Sequence, residues 1–130
     1  MAYYPSNRQI NIPYLLKIGP GKLDKTGKYL IDKDMVNIAV FWSEGLEDVY
    51  GERFNRSIRA YGINMLHKQD VRFINLEEVA KVAFNLPPVL NAIVGIGGGK
   101  ALDFAKYAAH LLKVPFISVP TSVSNDGFCS

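Results

Sequence analysis

The chain has 130 residues, with 15 Lys and Arg against 12 Asp and Glu, a formal charge of +3, and 48% hydrophobic and 21% charged residues. That is one globular domain's worth of chain, which excludes disordered, collagenous and coiled-coil classes. Its apolar runs, such as Val89 to Ile96, stop well short of the roughly 18–20 residues of a membrane span, and its basic residues are interspersed with acidic ones, so neither membrane nor nucleic acid is expected as a partner.

Residues Gln9 to Ile18 alternate in part between apolar and polar, the period of a half-buried strand, and Gly19-Pro20-Gly21 ends it. Leu23, Leu30 and Ile31 place one apolar face on a helix over Lys22 to Lys33, which Gly27 weakens. Val36 to Trp42 is a nearly continuous β-branched and aromatic run, as in a parallel strand covered on both faces. Leu46, Val49, Tyr50, Phe54 and Ile58 then predict an amphipathic helix over Leu46 to Tyr61, with Gly62 as its stop.

A third strand is predicted over Ile63 to His67. Asn75 can cap the next helix, Glu78 can complete a capping box, and the helix runs to about Asn85, where Pro87 and Pro88 prevent its continuation. Asn91 to Ile96 forms the next strand, Leu102 to Leu112 a helix, and Phe116 to Val119 the last strand. Strand and helix repeat about four times, which predicts an α/β domain with a doubly wound, mostly parallel, Rossmann-like sheet and right-handed crossovers. No linker divides the residues, so 1–130 is read as a single domain.

The strand at Asn91 to Ile96 runs directly into Gly97-Gly98-Gly99-Lys100 and then into a helix. Without side chains at Gly97, Gly98 and Gly99 the backbone can approach a bound group closely, and the free N–H groups of the new helix point at it. Phosphate or pyrophosphate suits such a place, where the helix dipole adds roughly half a positive charge. Neither standard phosphate loop matches. GxGxxG from Gly95 would need glycine where Lys100 stands, and the Walker spacing to Gly99-Lys100 is one residue short, with Ala101 in place of Ser or Thr. A tight turn that needs small residues for packing is the competing reading. Lys100 can be a point charge for phosphate or a solvated lysine, and Asp103 can accept from a ligand hydroxyl or oppose the helix dipole.

After Pro120, the segment Thr121-Ser122-Val123-Ser124-Asn125-Asp126-Gly127 carries hydroxyls, an amide and a carboxylate. If the last two strands are neighbours, this loop stands beside the glycine turn; Thr121, Ser122 and Ser124 then suit cofactor phosphate, amide or ribose, and Asp126 suits a substrate hydroxyl. Alone, Ser-Asn-Asp-Gly is also ordinary turn chemistry. Cys129 is the only cysteine, so no internal disulfide or cysteine metal cluster is expected, and the N-terminus lacks the pattern of a secretory signal. A cytoplasmic setting follows as the expectation.

The stretches Val94-Gly95-Ile96-Gly97-Gly98-Gly99-Lys100-Ala101-Leu102-Asp103-Phe104-Ala105-Lys106 and Pro115 through Gly127 resemble the sn-glycerol-1-phosphate dehydrogenase family. That family is part of the wider group of iron-containing alcohol dehydrogenases, glycerol dehydrogenases and dehydroquinate synthases. The first stretch marks the wider group, the second the glycerol-1-phosphate branch, and the order of elements also looks like that group's N-terminal domain.

The resemblance implies hydride transfer between dihydroxyacetone phosphate and sn-glycerol 1-phosphate, dependent on NAD or NADP and a divalent metal (zinc, nickel or iron), within phospholipid metabolism. It places Gly97, Gly98, Gly99, Lys100 and Asp103 at the cofactor diphosphate and ribose. Thr121, Ser122, Ser124 and Ser130 match further cofactor contacts, and Asp126 a substrate contact. The partner implied is a phosphorylated polyol or ketone, with a homo-oligomer possible. The family's metal ligands, one aspartate and two histidines of a helical C-terminal domain, have no match here. His67 and His110 are read as structural or surface residues, and the chain as the N-terminal part of a larger two-domain enzyme, inactive alone. Glycerol dehydrogenase, another iron-type alcohol dehydrogenase, a dehydroquinate-synthase-like enzyme and a stand-alone nucleotide-binding module remain alternatives. Glu44, after the second strand, can select NAD through the adenosine ribose or belong to a helix cap, so NAD and NADP both stay open.

Overall fold

A computed structural model describes residues 15–17 and 20–121. Five strands, β1 (Leu15–Lys17), β2 (Asn37–Ser43), β3 (Asn64–Val71), β4 (Ala92–Gly97) and β5 (Phe116–Pro120), form one sheet in the order β1-β5-β4-β2-β3, every neighbouring pair parallel. Between them run α1 (Thr26–Asp32), preceded by a 3-10 turn over Pro20–Lys25, then α2 (Leu46–Ala60), α3 (Leu76–Phe84) and α4 (Gly99–Leu112).

The helices divide between the two faces of the sheet. Leu23 and Leu30, with Phe54 and Ile58 of α2, pack on Ile38, Val40, Trp42, Val94 and Ile96. On the opposite face Val79 and Ala83 of α3, with Ala101, Phe104 and Ala105 of α4, pack on Ala39, Phe41 and Ile93. Alternate residues of β2 and β4 therefore feed two different cores, which is why both strands read as unbroken apolar runs: every residue of β4 is buried. This is the doubly wound α/β architecture expected from the alternation of elements.

Local chemistry sets the helix ends. Asn75 caps α3, its side chain accepting from the amides of Glu77 and Glu78 at 2.9 and 3.1 Å. Among the described residues the return bond from Glu78 that would close a capping box is not made. α2 ends with Gly62 N–H donating to Arg59 C=O and Ile63 N–H to Ile58 C=O, the paired bonds that close a helix at a glycine.

Several boundaries differ from expectation. The first helix begins as a 3-10 turn, and its α-helical part starts only at Thr26, because Gly27 is drawn against α2: its N–H donates to Ser57 Oγ at 2.8 Å, and that hydroxyl donates to Asp24 C=O at 2.8 Å. α4 starts at Gly99, three residues before its first apolar contact was expected to define it. β3 runs on past His67 to Val71. Its later residues are alternately exposed and half-buried at the sheet's margin, so polar side chains such as Lys68 and Asp70 sit within a strand. Of the first predicted strand, Leu15–Lys17 is described, paired with Phe116–Ser118. Residues 9–14 and 18 lie outside the described residues.

Two strand pairings position the upper end of the sheet. Ser43 stands beside Val71 across β2 and β3, and Gly97 beside Pro120 across β4 and β5. The β2–β3 ladder contains a bulge: Ile38 pairs with Met65 but Ala39 with His67, leaving Leu66 as the extra residue. Opposite ion pairs brace the flanks. Arg53 holds Asp24 through Nε and a second guanidinium nitrogen at 3.0 and 3.2 Å, which keeps the exposed Asp24 carboxyl below its ordinary range, and Glu47 raises Lys68 through a direct hydrogen bond.

A Cβ on Gly27 would overlap the Ser57 backbone carbonyl, where no flexible side chain can give way. Gly27→Ala is therefore expected to cost about 1–3 kcal/mol of stability by overpacking, measured by urea unfolding. An unchanged midpoint would mean that α1 is not held against α2 as described.

Candidate functional site

β2 and β4 are adjacent, yet the helix after β2 lies on one face of the sheet and the helix after β4 on the other. Their connecting turns part at the C-terminal ends of the strands and leave a crevice, the place where open α/β sheets bind ligands. Ser43, the last residue of β2, reaches across it: its Oγ accepts from the N–H of Gly98 at 2.8 Å. Gly97 is buried with φ +133°, and a Cβ there would overlap the Ser43 side chain. Backbone angle and close approach together explain this glycine.

Gly99 has a different setting. It is exposed, opens α4, and a Cβ built on it would meet nothing within 4 Å. Neither packing nor a left-handed backbone accounts for it. In front of it stand the first amides of the helix. Gly98 C=O accepts from Leu102 N–H at 3.1 Å, but among the described residues nothing accepts from the amides of Gly99, Lys100 and Ala101.

The charge pattern of the helix starts points the same way. α2 carries Glu47 and Asp48 in its first turn, and α3 carries Glu77 and Glu78 behind the Asn75 cap, acids that satisfy the positive helix end. α4 has no acid in its first turn and no side-chain cap. Its N-terminal end is left as a cluster of donors beside the exposed Lys100, with the half-buried Asp103 one turn on. The side chains of Lys100 and Asp103 make no hydrogen bond or ion pair with the described residues. Such an arrangement can hold an anion through backbone donors.

The β5 end completes what is described. Thr121 N–H donates to Gly97 C=O at 3.2 Å, so the start of the hydroxyl-bearing loop is tied to the glycine turn. Gly97, Gly98, Gly99, Lys100, Asp103 and Thr121 thus gather at one corner of the sheet. Ser122, Ser124, Asp126 and Ser130 lie outside the described residues. On the other side of the crevice, Glu44 Oε2 is 3.3 Å from Arg72 Nε.

The two histidines are elsewhere. His67 lies along β3, its Nε2 2.9 Å from Gln69 Oε1 and its ring against Phe41, and His110 is exposed near the end of α4. Among the described residues no group of three or more His, Cys, Asp or Glu could hold a metal ion, and no helix is long and apolar enough to cross a membrane.

A family profile described as iron-containing alcohol dehydrogenase matches residues 17–130, which includes every element of this site. The chain belongs to that family. Among curated relatives, the glycerol-1-phosphate dehydrogenase [NAD(P)+] of Aeropyrum pernix is 34% identical over 98% of this chain and 37% of its own length. The enzyme of the same name from Hyperthermus butylicus is 34% identical over 94% and 35%. The chain therefore spans little more than a third of the relatives it matches. Among solved structures, an iron-containing alcohol dehydrogenase from Thermotoga maritima superposes with a TM-score of 0.67 at 21% identity, covering 85% of this chain and 36% of that one. Glycerol dehydrogenase from Schizosaccharomyces pombe gives 0.64 at 24%, covering 85% and 29%. These likenesses establish the fold.

Ser43 is the site residue that motif reasoning passes over. The legible signal was a small hydroxyl residue closing an otherwise apolar strand, which marks a strand end but not the neighbour it will touch. Because Gly97 is confined and Gly99 is open, the two should separate in experiment. Gly97→Ala is expected to lower the thermal midpoint by several degrees, following about 1–3 kcal/mol of strain, while Gly99→Ala leaves it within about a degree. Equal effects on both would remove the distinction.

Proposed function

We propose that residues 1–130 form the N-terminal, NAD(P)-binding domain of a larger two-domain oxidoreductase that interconverts dihydroxyacetone phosphate and sn-glycerol 1-phosphate by hydride transfer. The observation that carries this reading is the open donor cluster at Gly99, Lys100 and Ala101, beside an exposed glycine that packing does not require. Its placement at the crevice between β2 and β4 suits a dinucleotide, and relatives bearing the name glycerol-1-phosphate dehydrogenase [NAD(P)+] over nearly the whole chain support the reaction.

In this reading the amides of Gly99, Lys100 and Ala101 bind the cofactor's pyrophosphate, and the helix end favours its charge. Gly98 is turned toward Ser43 and so shapes the loop from behind. Lys100 adds a mobile positive charge, and Asp103 and the hydroxyl residues from Thr121 to Ser130 hold ribose and amide groups. Asp126 accepts from a substrate hydroxyl. The bound nicotinamide supplies the hydride, and the task of these residues is to hold it at a fixed height above the sheet. The described residues offer no metal site, so a zinc, nickel or iron ion in the reaction would be held by residues other than these. A cytoplasmic location and a homo-oligomer belong to the same proposal.

The test is turnover by the protein with each substrate and each cofactor, followed by absorbance of the reduced nicotinamide and by product analysis. Oxidation of NADH or NADPH by dihydroxyacetone phosphate is expected, and Gly99→Trp, which places a bulky side chain in the open space before the amides, should weaken cofactor binding at least roughly tenfold. Turnover of glycerol with none of dihydroxyacetone phosphate would overturn the substrate assignment. Tight binding of NADH to the 130 residues without turnover in any longer form would make the chain a binding module instead.

A further inference from the structure

We propose that Ser43 is a positioning residue for the cofactor: its hydroxyl fixes the orientation of the peptide between Gly97 and Gly98 and so aims the α4 amides at the pyrophosphate. The inference rests on the dinucleotide reading above. β4 lies between β5 and β2, and this one peptide at its end is held from both sides. On the β5 side Gly97 C=O accepts from Thr121 N–H at 3.2 Å, which prolongs the ladder past the Gly97–Pro120 pair. On the β2 side the ladder ends with Trp42 beside Ile96, and there Ser43 Oγ, 2.8 Å from the Gly98 nitrogen, takes the place of a strand carbonyl. The Ser43 side chain occupies the space that a Cβ on Gly97 would need.

Two glycines in a row make this hold necessary. Turning a peptide over changes ψ of the residue before it and φ of the residue after it. Here both residues are glycine, so no Cβ selects an orientation and hydrogen bonds decide. The choice governs the donors that follow. Gly98 is extended, with φ −99° and ψ −166°, and in extended backbone consecutive N–H groups point to opposite sides. With the Gly98 N–H drawn to β2, that of Gly99 is aimed away from it, toward the open space before the helix. Without the hydroxyl, the Gly98 N–H loses its acceptor and the peptide keeps only the Thr121 bond. The turn then spends part of its time in arrangements that do not present the amides, and apparent affinity falls with the competent fraction.

The experiment combines amide hydrogen exchange with calorimetric titration by NADH and by inorganic pyrophosphate, on the wild type, Ser43→Ala and Ser43→Thr. The Gly98 amide is expected to be protected in the free wild type and to exchange roughly tenfold faster or more in Ser43→Ala, while the amides of β4 keep their rates. Both ligands should bind Ser43→Ala roughly five- to tenfold more weakly. Ser43→Thr, which keeps the hydroxyl, should restore most of that loss. Turnover separates positioning from general damage: in Ser43→Ala the KM for NADH rises by the same factor, and kcat changes by less than about twofold. An unprotected Gly98 amide in the wild type would overturn the inference before any variant is made. Wild-type affinities in Ser43→Ala, or equal losses in the alanine and threonine variants, would overturn it while the dinucleotide reading stands. A wild type that binds neither NADH nor pyrophosphate would overturn both.

Discussion

The hydrogen-bonded neighbours β2 and β4 send their helices to opposite faces of the sheet, and everything of functional interest follows from that parting. Two helix starts leave the same edge for opposite faces, so neither helix crosses the space between them. Ser43 bridges the gap from one side, and Gly97 and Gly98 approach it from the other. The crevice is thus a product of strand order before it is a product of any particular side chain.

Within that crevice the three successive glycines do three different things. Gly97 takes a backbone angle and a closeness that a side chain forbids, and Gly98 gives its N–H to Ser43. Gly99 alone leaves open space before unused donors. A run that looks uniform in sequence therefore divides into two positions that build the turn and one that faces outward.

Much of this was legible from residue order. Val36 to Trp42 and Asn91 to Ile96 had to be two-sided strands, and the helix after Gly62's stop had to wait for Asn75. The apolar signal of the third strand ends near His67, and Lys68, Gln69 and Asp70 belong to it because a marginal strand covered mainly on one side tolerates polar residues. The first helix becomes α-helical only at Thr26, and Gly27, a weakness when read locally, is a contact with Ser57, thirty residues away. For the site, the glycine turn announced itself and Ser43 did not, since its partner is set by a strand pairing that crosses more than fifty residues. The pairing of Glu44 with Arg72 was hidden for the same reason: each is an ordinary surface charge until β2 and β3 are laid side by side.

The bulge at Leu66 gives that pairing a further meaning. Were Leu66 paired instead of bulged out, every later residue of β3 would stand one position further along β2, and the neutral Val71 would stand where Arg72 now stands beside Glu44. The side chain delivered to the rim of the crevice is thus counted off from the bottom of the strand. A change of register along β3 that no bulge absorbs would re-address this corner without touching a single residue in it, so the way a marginal strand takes up its one surplus residue decides which side chain stands at the end of the sheet.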